Sequence, residues 1–201
     1  MKRFLIALQF LTILPFNIKV RMEGEDFGRS LVYFPIVGLL LGFFLSGVAY
    51  ISAPLPPLVI SVLILVAWTV ITGGIHLDGF ADTCDGFYGN RHKEEKIKIM
   101  RDSRIGTMGA AGVVLLLLFK FAMLSSIRPE DLWKVLIMTT VFARWSQVFA
   151  CSTSKYARDE GKAKYFIEYA KKTDTFIGAL FILILNWFLT GIKGFNLFAL
   201  S

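Results

Sequence analysis

Charge is scarce in this chain of 201 residues: Asp, Glu, Lys and Arg make up 18% of it, where a globular domain carries about 25%. Two stretches have none at all, Leu31 to Ser52 and Ser52 to Ile75. Cysteine is limited to Cys84 and Cys151, which have no metal-ligand spacing and read as free thiols. No internal repeat and no low-complexity tract is present. What fills the chain instead is apolar: 55% is hydrophobic, and the mean hydropathy is +0.62. Charge-free runs of this length exceed the needs of a soluble core and match the roughly 20 apolar residues that a bilayer-spanning helix takes. The expected fold is therefore all-α, a polytopic transmembrane bundle of about 5–7 helices, forming one membrane domain over residues 1–201.

Apolar runs place five spans, at Leu31 to Ser52, Leu58 to Ile75, Thr107 to Ile127, Leu132 to Cys151 and Phe176 to Gly191. Met1 to Phe16 resembles a signal peptide in its Lys2-Arg3 start, but it lacks a small-residue cleavage site. It is expected to stay as a short interfacial or re-entrant segment. The net charge of +7 and the pI of about 9.5 do not point to nucleic acid, because the basic residues flank apolar segments. Linkers rich and poor in Lys and Arg alternate. Asn17 to Ser30 carries three, Ala53 to Pro57 none, His76 to Gly106 six, Arg128 to Asp131 one and Ser152 to Thr175 six. The positive-inside rule puts the three basic linkers in the cytoplasm. They hold most of the acids too, so an active-site face is expected on that side.

Two basic residues fall inside spans. Lys120 is expected to snorkel toward the nearer surface, and Arg144 lies close enough to the cytoplasmic end to meet an anionic ligand. Small residues mark helix contacts: Gly38 and Gly42 form a GxxxG, and Gly106, Gly109 and Gly112 recur every three residues.

The polar chemistry concentrates in Gly74 to Asn90, which reads GIHLDGFADTCDGFYGN. Asp78, Asp82 and Asp85 stand at i, i+4 and i+7, on one face of a helix. Three carboxylates on one face repel unless a cation sits among them. Hard oxygen donors of this kind suit Mg²⁺, which commonly takes one or two carboxylates together with substrate phosphates. A second helix is expected from Lys93 onward, in which Glu95, Lys98, Arg101 and Arg104 recur every three residues. Arg101 and Arg104 are suited to clamp phosphate oxygens, and Asp102 between them is a fourth metal ligand or a general base. Together these parts fit transfer of a phosphoryl group between bulky substrates at a membrane surface.

HLDGFADTCDG followed by MRDSRIGTMG resembles the adenosylcobinamide-GDP ribazoletransferase family, also called cobalamin synthase. LQFLTILP, YFPIVGLLLG, ARW at Ala143 to Trp145 and YARDEG at Tyr156 to Gly161 carry the resemblance across some three-quarters of the chain. It implies a polytopic, Mg²⁺-dependent enzyme of the inner membrane that joins adenosylcobinamide-GDP to α-ribazole, or its 5′-phosphate, and releases GMP. Asp78, Asp82 and Asp85 would then bind Mg²⁺ and the diphosphate, while Arg101 and Arg104 hold phosphates. Asp82, Asp102 and His76 would be the catalytic candidates, and Arg144 and Arg158 further substrate contacts. The family continues to a Gly-Gly-x-Thr-Gly-Asp element and a final apolar segment. Only Thr190-Gly191 and Gly194 stand near that position here, so a shortened C-terminus is expected. Self-association into a homo-oligomer stays open.

Two other readings compete. Asp82-x-x-Asp85-Gly86 matches the opening of the CDP-alcohol phosphotransferase motif, but the Ala-Arg and the later aspartate pair of that motif are missing. A cation or metabolite transporter would use the acids as a binding site, although transporters place ligands near the bilayer midplane on broken helices.

Overall fold

The computed structural model describes residues 2–15, 23–157, 161 and 163–191, and among them all regular structure is helical. The helices are α1 (Lys2–Leu11), α2 (Gly24–Ser30), α3 (Phe34–Ile51), α4 (Pro57–Ile71), α5 (Ile75–Phe87), α6 (Lys93–Ile99), α7 (Thr107–Ser126), α8 (Pro129–Thr153), α9 (Ala163–Glu168) and α10 (Lys172–Thr190), with a 3₁₀ turn, Leu31–Tyr33, between α2 and α3. Four helical stretches are long and apolar enough to cross a membrane: Gly24–Ile51, α7, α8 and α10. A fifth span is counted if α4 and α5, bent by 89° at their junction, are taken together. Only 6% of the apolar windows of α7 and of α10 is buried within the protein. Side chains such as Leu115, Phe119 and Phe188 therefore face outward, and a surface that apolar requires lipid around it.

The expected spans shift in instructive ways. The first begins earlier, at Gly24, because α2 and the 3₁₀ turn lead into α3 without a break. The second is cut short. Pro57 starts α4 at a position where its missing N–H costs nothing, but Gly73 and Gly74, at φ 62° and 67°, turn the chain out of the helix after Ile71. At 15 residues, α4 is about 22 Å long, less than the bilayer core of about 30 Å.

The helices form two compact units, one drawn from Met1–Gly47 and Pro129–Ser201, the other from Val48–Arg128. In the first, Gly38 and Gly42 of α3 lie directly against α8. A Cβ on Gly38 would come within 2.7 Å of the Thr140 carbonyl, and one on Gly42 within 2.6 Å of Ile137 Cα. This close approach is what the GxxxG spacing implies. α10 packs on the same helix, where Trp145 Nε1–H donates to the Thr175 carbonyl at 2.9 Å. The expected N-terminal segment takes the form of α1, at 10 residues roughly half the length of a span. Lys2 and Arg3 pair with Asp26 at 2.7 and 3.6 Å, and Phe10 joins Phe27, Phe34 and Phe166 in an aromatic cluster.

In the second unit α4 and α7 run antiparallel, with Ser125 Oγ bonded to Ser61 Oγ at 3.2 Å. Lys120 does not simply reach for the surface: its Nζ sits 4.9 Å above the centre of the Trp68 ring, a cation–π contact that softens the cost of a charge at membrane depth.

Candidate active site

α5 carries Asp78, Asp82 and Asp85 within its 13 residues, as the spacing predicts. Gly74, in the left-handed region, opens it, and the 89° bend sets it across the axis of α4. His76 falls in its exposed first turn, Asp78 is exposed, and Asp82 is half-buried.

Asp85 has a role that its spacing does not reveal. One of its oxygens accepts the backbone N–H of Gly106 and the other that of Gly109, both at 2.8 Å. These two donors belong to the start of α7, whose own N-cap residue, Gly106, has no side chain to offer. A Cβ on Gly106 would lie 2.5 Å from Asp85 Oδ1, and one on Gly109 would run into Oδ2. A Cβ on Gly112 would stand 2.6 Å from Cys84 Sγ. The three-residue glycine spacing is thus the bed in which Cys84 and Asp85 of α5 lie.

The second helix is shorter than expected. α6 ends at Ile99, so Arg101 and Arg104 lie in the irregular connection to α7 rather than on a basic helix. The local reason is Asp102. Its Oδ1 accepts the backbone N–H of Arg104 at 3.0 Å, a turn in which a side chain replaces the helical carbonyl as acceptor. The Arg104 guanidinium closes on the same carboxylate, Nε to Oδ1 at 3.0 Å and NH2 to Oδ2 at 2.7 Å. The Arg104 side chain and its backbone N–H together hold the Asp102 carboxyl well down, at about 2. A carboxylate held there is a poor proton acceptor near neutral pH, where a general base needs a much higher value. The geometry therefore favours Asp102 as an anchor for Arg104 over Asp102 as base.

An open cavity of about 550 Å³ gathers Asp85, Tyr88, Arg91, Asp102, Arg104 and Thr107. Asp78, Asp82, His76 and Arg101 are not among its lining residues. Tyr88 and Arg91 are additions that the spacing of acids and bases does not single out. Arg91 is fixed by a 3.0 Å bond from NH1 to the Asp85 carbonyl. α6 is drawn in over Gly86, where a Cβ would meet Met100 Cγ at 2.8 Å, and Lys96 caps the Phe87 ring at 4.8 Å. Among the described residues no group of three or more His, Cys, Asp or Glu side chains is assembled to hold a metal ion. Asp78 and Asp82, one turn apart on α5, are hard oxygen donors of the kind that would fit Mg²⁺.

Arg144 belongs to the other unit. It is 4% exposed, on the face of α8 that packs against Gly38, and its Nε has no hydrogen-bond partner among the described residues. Arg158 lies outside the described residues.

A helical membrane protein with carboxylates and guanidinium groups around one open cavity belongs to the class of membrane-embedded group-transfer enzymes. The family model described as cobalamin-5-phosphate synthase matches residues 3–201. Relatives named adenosylcobinamide-GDP ribazoletransferase include one from Geotalea daltonii, 39% identical over 195 residues, covering 96% of this chain and 78% of the relative. Another, from Acetivibrio thermocellus, is 38% identical over 201 residues, covering 99% and 81%. A third, from Clostridium acetobutylicum, is 38% identical over 182 residues, covering 89% and 72%. No solved structure matches. The chain belongs to the cobalamin-5-phosphate synthase family.

Proposed function

We propose that this protein transfers adenosylcobinamide phosphate from adenosylcobinamide-GDP to α-ribazole, or to its 5′-phosphate, releasing GMP. The observation that carries this reading is the reach of the family match, residues 3–201, which takes in α5, the Arg101–Gly106 connection and α7 together. The relatives that bear the ribazoletransferase name align along almost the whole chain.

The residues divide the chemistry as follows. A hydroxyl of the ribazole ribose attacks the phosphorus that carries the cobinamide, and the bond from that phosphorus to the GMP oxygen breaks. Asp78 and Asp82 would hold Mg²⁺, which would supply charge neutralisation at the diphosphate. Arg91 and Arg104, which line the cavity, hold the phosphate oxygens, where a guanidinium offers two parallel donors, and Arg101 stands nearby in the same connection. His76 is the candidate to take the proton of the attacking hydroxyl, since Asp102 is committed to Arg104. Arg144, a buried cation whose Nε has no partner among the described residues, is suited to an anionic or strongly polar ligand group.

The cavity opens on the polar connection that carries six basic residues, which supports an active site facing the cytoplasm from the inner membrane. With α5 turned 89° from α4, the acids run along the surface when α4 enters the bilayer upright. That arrangement suits water-soluble substrates and a product made beside lipid.

The test uses protein purified in detergent with Mg²⁺, adenosylcobinamide-GDP and α-ribazole. GMP and the joined corrinoid should appear in equal amounts. No GMP from this pair, with turnover of CDP-diacylglycerol in its place, would overturn the proposal.

A further inference from the structure

The carboxylate of Asp85 reaches across 21 and 24 positions of chain to the N–H groups of Gly106 and Gly109. We propose that Asp85 is a positioning residue, whose carboxylate caps α7 and so holds the Arg101–Gly106 connection beside the acidic face of α5. This deepens the ribazoletransferase reading and rests on it for the claim that the connection meets substrate.

Three independent features agree. The start of a helix leaves N–H groups without partners and carries partial positive charge, and an ionised acceptor is the strongest cap available to it. Gly106 cannot supply a cap from its own side chain, and both oxygens of Asp85 do so from the neighbouring helix. The bare backbone at residues 106 and 109 is what lets the carboxylate come so close, since a Cβ at either would displace it. Finally, Asp85 holds the other end of the cavity as well, because its carbonyl accepts Arg91 NH1 at 3.0 Å. One residue therefore ties the chain before the connection, at Arg91, to the chain after it, at Gly106 and Gly109. Asp102 and Arg104 hang between these ties. Asp78, an exposed acid of the same helix, has no such bond to α7 among the described residues.

The test reads the contact without substrate. Cys84, half-buried, stands against Gly112 on the same α5–α7 seam, so its thiol reports whether the seam is closed. In a Cys151→Ser background and Mg²⁺-free detergent, maleimide labelling of Cys84 should speed up about tenfold in Asp85→Ala, the loss expected for charge-assisted hydrogen bonds. Asp85→Asn, which keeps one good acceptor, should fall between, and Asp78→Asn should label at the wild-type rate. Gly109→Ala should open the seam by itself, yet add little when combined with Asp85→Ala, because both break one contact. Full additivity of the two, or wild-type labelling of Asp85→Ala, would overturn the proposal. So would a shifted Mg²⁺ requirement for GMP release in Asp85→Asn, which would make Asp85 a ligand instead. Wild-type protein that protects Cys84 but releases no GMP sinks the ribazoletransferase reading and leaves the capping contact standing.

Discussion

Glycine brings two pairs of helices together in this protein, for different ends. Between α3 and α8, Gly38 and Gly42 remove bulk so that backbone meets backbone, with the Thr140 carbonyl and Ile137 Cα filling the space. Between α5 and α7, Gly106 and Gly109 remove bulk so that a charged acceptor can reach two N–H groups. The first contact is packing, and its strength is the sum of many small dispersion terms. The second is polar and directional, and it fixes the loop that lies beside the acids. Closely spaced glycines thus serve stability in one unit and the shape of a site in the other.

The widest separation between the two units should come from Asp82→Ala. Loss of a carboxylate proposed to hold Mg²⁺ is expected to lower GMP release by about 100-fold or more, with the protein still recovered from the membrane fraction; unchanged turnover would remove Asp82 from the proposed metal site. Arg144→Met comes next. A buried cation whose Nε has no partner among the described residues contributes little to folding, so the melting temperature in detergent should hold or rise. A drop in melting temperature would make Arg144 structural.

Smaller effects probe the packing contact and the loop. Gly42→Leu forces bulk against Ile137 and should cost about 1–3 kcal/mol of stability, read by thermal unfolding, while the Mg²⁺ requirement of the folded fraction stays put. Asp102→Asn tests the loop pair by pH. The folded carboxyl, at about 2, lies below its ordinary 3.8, so what the pair with Arg104 contributes is present above 3.8 and lost as pH falls through about 2. The pair is therefore intact at neutral pH, and the acid limb of the kcat/KM profile should sit at the same pH in wild type and Asp102→Asn. A limb that moves would mean that Asp102 titrates in catalysis.

Much of this was legible in the sequence because it rests on local pattern. The three aspartates fall on one helix since their spacing is helical, and Gly38 with Gly42 predicts a tight contact since only small residues permit one. The charge-free runs announce spans. What escaped needed either one conformation or one distant neighbour. Gly73-Gly74 reads as an ordinary pair of small residues, yet its left-handed turn shortens α4 and swings α5 through 89°. Asp102 looks like one more acid in a helical repeat, but by bonding its own turn it stops α6 and moves Arg101 and Arg104 into a loop. Asp85 has the same spacing whether it faces a cation or the amides of α7. Only the arrival of a chain segment more than twenty residues away decides between them.

The account turns on a division of labour among aspartates that share one helical face. The Mg²⁺ concentration for half-maximal GMP release, measured side by side in wild type, Asp78→Asn and Asp85→Asn, tests that division most directly. Asp78→Asn should need at least about tenfold more Mg²⁺, as expected for a group that holds the ion with substrate phosphate, and Asp85→Asn should need the same as wild type. The reverse order would contradict the account.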